Sequence, residues 1–232
     1  MEIDNKYTLM QKRAYSGGTT NHLNHNNNSK YWNILLSDLA DFEAWEGKTA
    51  LDFGCGKGRN VTNMLSKCDW SRVDGVDISE SNIIHCKITY ENQNSKWYVN
   101  NGIDVSCLKS DEYDFIMSTI VLQHIPVYNI RRSIISDLFR CLKSGGIFSF
   151  QMGFGADTNL DNKSSYYDNS MDAAGTNSVH DVSVTDANEV VKDMEDIGFT
   201  NVTYQITDNL SDSGQSLDHG HPNWVWVRCE KP

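Results

Sequence analysis

The chain has 232 residues, of which 39% are hydrophobic and 22% are charged, and its formal net charge is −11. This acidic balance argues against a nucleic-acid polymer as partner, because phosphate-binding surfaces are basic. No apolar run approaches the about 20 residues that cross a membrane as a helix, and the first residues lack the pattern of a secretory signal. Six cysteines without paired or metal-ligand spacing predict a cytoplasmic protein with no metal site.

Strands and helices alternate along most of the chain. The pattern predicts strands at about 48–53, 72–77, 96–100, 112–118 and 146–152. Two more strands are predicted at 201–207 and 224–229, where apolar or aromatic residues alternate with others, as at a sheet edge. Amphipathic segments predict helices near 58–68, 80–92, 127–142 and 187–197. Such alternation is typical of βαβ units with right-handed crossovers around a parallel sheet. No linker or internal repeat is visible, so we predict a single α/β domain over residues 1–232.

Residues 153–186 depart from this alternation. They are rich in Asn, Asp, Ser and Gly and show almost no hydrophobic periodicity. A loop of this length in a compact domain is usually functional or disordered. Because it follows the fifth predicted strand, whose carboxyl end faces the ligand crevice, we predict that it is a substrate-specificity insert.

A glycine turn joins the first predicted strand to the first predicted helix. From Asp52 to Gly58 it runs Asp-Phe-Gly-Cys-Gly-Lys-Gly. Glycine lets the backbone approach a ligand closely, and the following helix points its free N–H groups and positive dipole end at the turn. We therefore expect a site for a carboxylate, a phosphate or a ribose. A dinucleotide turn requires a third glycine where Arg59 stands, which argues against a nicotinamide oxidoreductase.

A second acidic residue extends this pattern. Asp77 ends the second predicted strand, 21 residues after Gly56 (77 − 56), where a carboxylate can accept both hydroxyls of a ribose. The segments 52–58 and 75–79 resemble the first two motifs of class I S-adenosylmethionine-dependent methyltransferases. The resemblance implies a Rossmann-like three-layer sandwich with a seven-stranded, mostly parallel sheet of order 3-2-1-4-5-7-6, in which strand 7 is antiparallel.

The resemblance also implies a site for S-adenosylmethionine and its product S-adenosylhomocysteine. The turn glycines would line the methionine and ribose portion, and Asp52 would organise the turn or accept from the amino group. Asp77 would hold the ribose hydroxyls, with Ile78 on the adenine face. The cofactor-binding residues expected in this way are Asp52, Gly54, Cys55, Gly56, Gly58, Asp77, Ile78, Asn101, Gly102 and Thr119.

The residues after the third predicted strand allow more than one interpretation. Family members usually have an acid here that accepts from the adenine amino group. One alignment places Asn101 there, with Gly102 offering a backbone N–H, and a shifted register places Asp104 there. An amide oxygen can accept the same hydrogen bond. The pair Asn101-Gly102 is equally compatible with a simple turn.

The exit of the fourth predicted strand carries the first candidate base. The segment 118–126, ending Gln-His-Ile-Pro, resembles the post-strand motif of small-molecule methyltransferases. His124 could accept a proton there, although a structural helix-capping role is the alternative. His180, next to Asp181 in the insert, is the second catalytic candidate, and Tyr166 or Tyr167 is the third. His219 and His221 precede the last strand, where we expect solvated side chains.

These observations predict methyl transfer from S-adenosylmethionine to a hydroxyl or amine of a small-molecule acceptor, by in-line displacement on the sulfonium methyl. Relatives often form a lid from the segment before the first strand, so residues 1–29 are expected to close over the site together with residues 153–186. We expect neither a nucleic-acid nor a membrane partner. The alternative is a non-catalytic regulatory or scaffold protein that binds S-adenosylmethionine or S-adenosylhomocysteine.

Overall fold

A computed structural model describes residues 8–9, 11–12, 34–35, 42–91, 93–155, 160–161, 181–208 and 221–232. Across these ranges, no helix combines the length and apolarity needed to cross a bilayer. The candidates His180, Tyr166 and Tyr167 lie outside the described residues, as do most of residues 1–29 and of residues 153–186.

One mixed sheet organises the described residues. Its strands are β1 Thr49–Phe53, β2 Arg72–Asp77, β3 Trp97–Val99, β4 Tyr113–Ser118, β5 Leu142–Phe154, β8 Thr200–Asp208 and β9 Asn223–Glu230. Two short strands, β6 Leu160–Asp161 and β7 Val182–Ser183, pair with each other in a separate sheet. This small sheet lies within residues 153–186 and was not predicted from the sequence.

The strand order confirms the predicted topology. The main sheet runs β3-β2-β1-β4-β5-β9-β8, which becomes 3-2-1-4-5-7-6 when its seven strands are numbered alone. Strands β1 to β5 are parallel to one another, and β9 is antiparallel to both β5 and β8. The carboxyl ends of β1, β2 and β4 therefore meet at one edge of the sheet, where α/β folds bind ligands.

Helices cover both faces of this sheet. They are α1 Arg59–Lys67, α2 Glu80–Thr89, α3 Tyr128–Cys141 and α4 Ala187–Ile197, with 3-10 turns at Phe42–Trp45 and Leu122–His124. Neighbouring residues of β1 illustrate the two layers, because Ala50 packs in the core beneath α1 and α2 whereas Leu51 packs in the core beneath α3 and α4. Burial on both faces is what a parallel sheet requires, and it gives the predicted three-layer sandwich.

The fifth strand begins earlier than the apolar run at 146–152 predicts. Leu142 already pairs with Tyr113, and the next pairing joins Ile147 to Phe115, so the intervening residues of β5 bulge out of the ladder. Gly145 has a φ of 74° within this bulge, a conformation that glycine adopts readily. The sequence pattern marks only the part of β5 beyond the bulge, which is buried and regular.

Candidate functional site

The glycine turn after β1 is fixed to β2 by its backbone. The N–H groups of Gly54 and Cys55 both donate to the carbonyl of Val76, at 2.8 and 3.1 Å. A Cβ added at Gly54 would lie 2.2 Å from Val121 Cγ2, whereas one added at Gly56 would meet no atom of the described residues within 4 Å. The turn is therefore packed on one side and open at Gly56, as a ligand cradle requires.

The other predicted residues of the turn have structural contacts. Gly58 precedes α1 with a φ of 86°, and a Cβ there would lie 2.8 Å from Trp97. Cys55 is buried, and burial raises the pKa of its thiol. The thiols of Cys55 and Cys86 both approach the carbonyl of Gly56, at 3.7 and 3.5 Å. Because both thiols are buried and Cys55 is held in its neutral form, we assign Cys55 a packing role beneath the turn.

Asp77 connects the glycine turn to the loop after β2. Its Oδ2 accepts from Gly56 N–H at 2.9 Å, and its Oδ1 accepts from Ser79 N–H at 2.8 Å. Burial raises the pKa of this carboxyl, and the two backbone hydrogen bonds oppose the rise. Each carboxylate oxygen has a second acceptor site, so the same group can also receive hydroxyl donors.

Asp52 lies at the end of β1 with its carboxylate inside the protein. It is 1% exposed, and neither oxygen has a hydrogen-bond partner of normal geometry in the described part of the chain. Burial raises the pKa of Asp52 to about 7, although nearby Arg59 and Asn60 favour the ionised form. A buried carboxylate without donors is costly, and a cationic ligand group would relieve that cost.

Two further predicted positions border the same edge of the sheet. Thr119, just beyond β4, accepts a hydrogen bond from Asn60 Nδ2 at 3.1 Å, which ties the post-β4 segment to the start of α1. Ile78 lies against Gly102, where an added Cβ would be 2.8 Å from Ile78 Cδ1. The structure thus brings the ends of β1, β2, β3 and β4 together around the turn.

The residues after β3 form a compact turn. Asn101 Oδ1 accepts from the N–H groups of Ile103 and Asp104, and Asn101 Nδ2 donates to Asp104 Oδ1. The N–H of Gly102 donates to Asn100 Oδ1 at 2.8 Å. These bonds favour the turn interpretation of Asn101-Gly102, and the roles of both residues toward a ligand stay predictions.

His124 occupies the 3-10 turn after β4 and pairs with the insert. Its Nδ1 lies 2.6 Å from Asp181 Oδ1. Asp181 Oδ2 lies 3.5 Å from Nε2 of His221, a residue that is fully buried rather than solvated as predicted. Gly153 makes this burial possible, because a Cβ there would be 2.0 Å from His221 Nδ1. No group of three or more ligand-type side chains in the described ranges is arranged to hold a metal ion.

Two residues near the amino terminus contact this site, one beside the loop after β3 and the other beside the turn after β4. Gln11, which is 3% exposed, donates from Nε2 to the carbonyl of His124 at 3.0 Å. Thr8 lies beside Gly102, with its Oγ1 3.5 Å from a Cβ added there. This short segment therefore bridges the ends of β3 and β4.

The sheet order, the open glycine turn after β1 and the acidic residue after β2 together define the class I S-adenosylmethionine-dependent methyltransferases. A family model described as a methyltransferase domain matches residues 25–204. The chain belongs to this family and is a methyltransferase, as its motifs predict.

Solved structures share the fold at low sequence identity. The N-methyltransferase NodS of Bradyrhizobium japonicum, solved with S-adenosylhomocysteine, is 17% identical with a TM-score of 0.62, over 98% of this chain and 99% of that one. An S-adenosylmethionine-dependent methyltransferase of Methanosarcina mazei is 19% identical with a TM-score of 0.61, over 83% of this chain and 97% of that one. Phosphoethanolamine N-methyltransferase 2 of Haemonchus contortus is 16% identical, with a TM-score of 0.59 over 87% of this chain and 53% of that one. Comparison with curated proteins gives no match.

The residues of this cofactor site fit S-adenosylmethionine. Among the described residues, Gly56 leaves space for a ligand, Asp77 retains acceptor capacity for hydroxyls, and the carboxylate of Asp52 has no hydrogen-bond partner that would compete with a cation. Sequence reasoning missed the contacts of Asp181 with His124 and His221, because Asp181 was associated with its neighbour His180 and His221 with solvent. Residues 153–186 contain several aspartates, so the sequence carried no signal that singled out Asp181.

Proposed function

We propose that this methyltransferase transfers the methyl group of S-adenosylmethionine to a hydroxyl or amine of a small-molecule acceptor, with His124 as general base. The observation that carries the proposal is the 2.6 Å pair between His124 Nδ1 and Asp181 Oδ1 at the edge of the sheet where the glycine turn lies. A non-catalytic binder has no need for a histidine that a carboxylate orients.

The glycine turn, Asp77 and Asp52 would hold the cofactor. Asp77 would accept the ribose hydroxyls with the acceptor sites that Gly56 and Ser79 leave open. Asp52 would face the cationic part, and Ile78, beside Gly102, would pack on the adenine. The cofactor supplies an electrophilic methyl group on a sulfonium, and the protein supplies position and exclusion of water.

His124 would take the proton that the acceptor loses. With Nδ1–H donated to the carboxylate of Asp181, neutral His124 carries its lone pair on Nε2, which can remove a proton from an O–H or a protonated amine. The electron pair released on the acceptor oxygen or nitrogen then forms the new bond to the methyl carbon. General-base catalysis of this kind contributes about 10²–10⁴-fold to a rate.

The segments that precede β1 and follow β5 would enclose the acceptor. Gln11 holds the backbone of His124, and Asp181 comes from residues 153–186, so both segments reach the proposed base. We propose that residues 1–29 form a lid and residues 153–186 a specificity insert within one domain over residues 1–232. The six free cysteines support a cytoplasmic location.

Calorimetric titration with S-adenosylmethionine and S-adenosylhomocysteine tests the cofactor assignment. The proposal is supported if the wild type binds these compounds with micromolar affinity and Asp77→Ala abolishes that binding. It is contradicted if the wild type binds neither compound.

Acceptors are then screened among small alcohols and amines. Phosphoethanolamine is included because one protein of similar fold is a phosphoethanolamine N-methyltransferase. With an acceptor found, His124→Ala should lower kcat by about 10²-fold or more.

A further inference from the structure

Asp181 lies between two histidines that come from distant parts of the chain. Its Oδ1 is 2.6 Å from His124 Nδ1, and its Oδ2 is 3.5 Å from His221 Nε2. His124 follows β4, Asp181 directly precedes β7, and His221 lies just before β9. Three separate segments therefore converge on one carboxylate.

Packing holds this arrangement in place. The ring of His221 is fully buried between the backbone of Gly153 in β5 and the ring of Trp224, whose centroid is 5.6 Å away. Any side chain at position 153 would overlap that ring, since a Cβ would lie 2.0 Å from Nδ1. On the other side, Gln11 donates to the His124 carbonyl. The convergence of the three segments on Asp181 is therefore stabilised by contacts of the buried His221 ring and by the contact of Gln11 with His124.

The charge state of Asp181 determines what the pair can do. Burial raises the pKa of this carboxyl, but the hydrogen bonds and charges of His124 and His221 outweigh burial and leave the pKa below its ordinary value. An ionised carboxylate only accepts hydrogen bonds, so the Nδ1 atom of His124 must be the donor. When His124 is neutral, its single ring proton therefore lies on Nδ1, which is the Nδ1–H tautomer.

We propose that Asp181 is the positioning residue of the methyl-transfer site, holding His124 in its Nδ1–H tautomer, and that His221 holds Asp181. This inference rests on the proposed role of His124 as general base. When His124 Nε2 takes the proton of the acceptor, the imidazolium that forms faces the carboxylate of Asp181, which stays ionised and compensates the charge. Asp181, at the end of the insert, therefore supports the proposed base.

The test measures the tautomer of His124 directly, without an acceptor. Long-range ¹H–¹⁵N spectra of the imidazole nitrogens are recorded on the full chain with S-adenosylhomocysteine, for the wild type, Asp181→Asn and Asp181→Glu. We expect the Nδ1–H form in the wild type, a large Nε2–H fraction in Asp181→Asn, and recovery of the Nδ1–H form in Asp181→Glu. An Nε2–H form in the wild type, or spectra unchanged by Asp181→Asn, would overturn the proposal.

Asp186→Asn is the matched control for this test. Asp186 lies five residues further along the chain (186 − 181) and caps α4 by accepting from Asn188 N–H at 2.9 Å. Asparagine caps helices as well as aspartate does, so this variant should keep both the fold and the wild-type His124 spectrum. A spectral change equal to that of Asp181→Asn would mean a general effect of charge and would overturn the proposal.

His221→Gln tests the second half of the arrangement. Glutamine can still donate from its amide to Asp181 but cannot reproduce the ring that packs on Gly153, so we expect a partial increase in the Nε2–H form of His124. Spectra identical to those of the wild type would contradict a role for His221.

Turnover separates failure of this inference from failure of the proposed function. With an acceptor found, Asp181→Asn should lower kcat at least about 10²-fold while S-adenosylhomocysteine affinity changes less than about threefold. If His124→Ala lowers kcat but Asp181→Asn does not, the positioning role is wrong and the base assignment stands. If neither variant lowers kcat, the proposed function of His124 is wrong.

Discussion

The carboxylate of Asp77 accepts a hydrogen bond from the backbone N–H of Gly56 at 2.9 Å. This contact joins the two sequence motifs across the parallel pair β1 and β2, whose carboxyl ends lie side by side. The acidic residue therefore shapes the glycine turn even before it meets a ligand. Replacing Asp77 should therefore weaken cofactor binding in two ways. The carboxylate can no longer contact the ligand, and the glycine turn loses the hydrogen bond from Gly56 N–H.

Asp77→Ala is expected to weaken S-adenosylhomocysteine binding by about 10–100-fold or more. Each hydrogen bond to a charged group is worth about 1.5–3 kcal/mol, and this carboxylate makes two to the backbone before any to the ligand. Calorimetry measures the affinity, with Asp69→Ala as the control because Asp69 is exposed at the opposite end of β2. Equal affinities for Asp77→Ala and the wild type would contradict the prediction.

Alanine at Gly56 should act mainly on cofactor binding, whereas alanine at Gly54 should act mainly on stability. At Gly56 the added methyl group meets no atom within 4 Å in the described part of the chain, so Gly56→Ala should cost about 1–2 kcal/mol through its positive φ but reduce cofactor affinity at least about 10-fold. At Gly54 it would overlap Val121, so Gly54→Ala should lower the melting temperature further. Thermal unfolding and calorimetry on both variants check this, and undiminished binding by Gly56→Ala would contradict it.

The fold could be predicted from the sequence because its signals are local, and so could the positions of the two motifs that meet after β1 and β2. Most strands of the main sheet contain a short apolar or alternating run, and the contact between Gly56 and Asp77 arises within one βαβ unit of regular length. The relation of His124 to Asp181 spans 57 residues and crosses the irregular insert. No periodic pattern encodes such a contact, so the sequence suggested the neighbouring His180 instead.

The burial of His221 was also beyond the reach of local patterns. Its polar neighbours in sequence indicate an exposed turn, yet the ring enters a space that exists because residue 153, on the adjacent strand β5, is glycine. The burial of His221 depends on which strands become neighbours, and this is decided by the whole fold. After β3, by contrast, Asn100 accepts the N–H of Gly102 only two residues away, so this contact belongs to a local turn.

Stability without cofactor should depend on pH through Asp52. The pKa of its carboxyl is raised from 3.8 to about 7, chiefly by burial. Between about pH 4 and 7 the folded state holds a proton that the unfolded chain has lost, so the free energy of unfolding falls as the pH rises through this window. Asp52→Asn removes the effect, and its stability advantage over the wild type should grow to about 1–4 kcal/mol by pH 8.

Urea unfolding of Asp52→Asn and the wild type at pH 5 and pH 8 measures this difference. Asp69→Asn serves as the control, because an exposed carboxyl should give the same small difference at both pH values. An advantage for Asp52→Asn that does not grow between the two pH values would contradict the raised pKa.

Gln11→Ala should lower turnover while leaving cofactor binding unchanged. Gln11 is buried against the 3-10 turn and donates to the backbone carbonyl of His124, so its amide holds the proposed base from the amino-terminal side. A hydrogen bond contributes about 0.5–1.5 kcal/mol, which corresponds to a decrease of about 2–10-fold in kcat. Lys12→Ala is the matched control, since Lys12 is adjacent but exposed.

Deletion of residues 1–29 removes the whole segment and should reduce kcat further than Gln11→Ala does. Wild-type kinetics in both Gln11→Ala and the deletion variant would mean that this segment does not act as a lid.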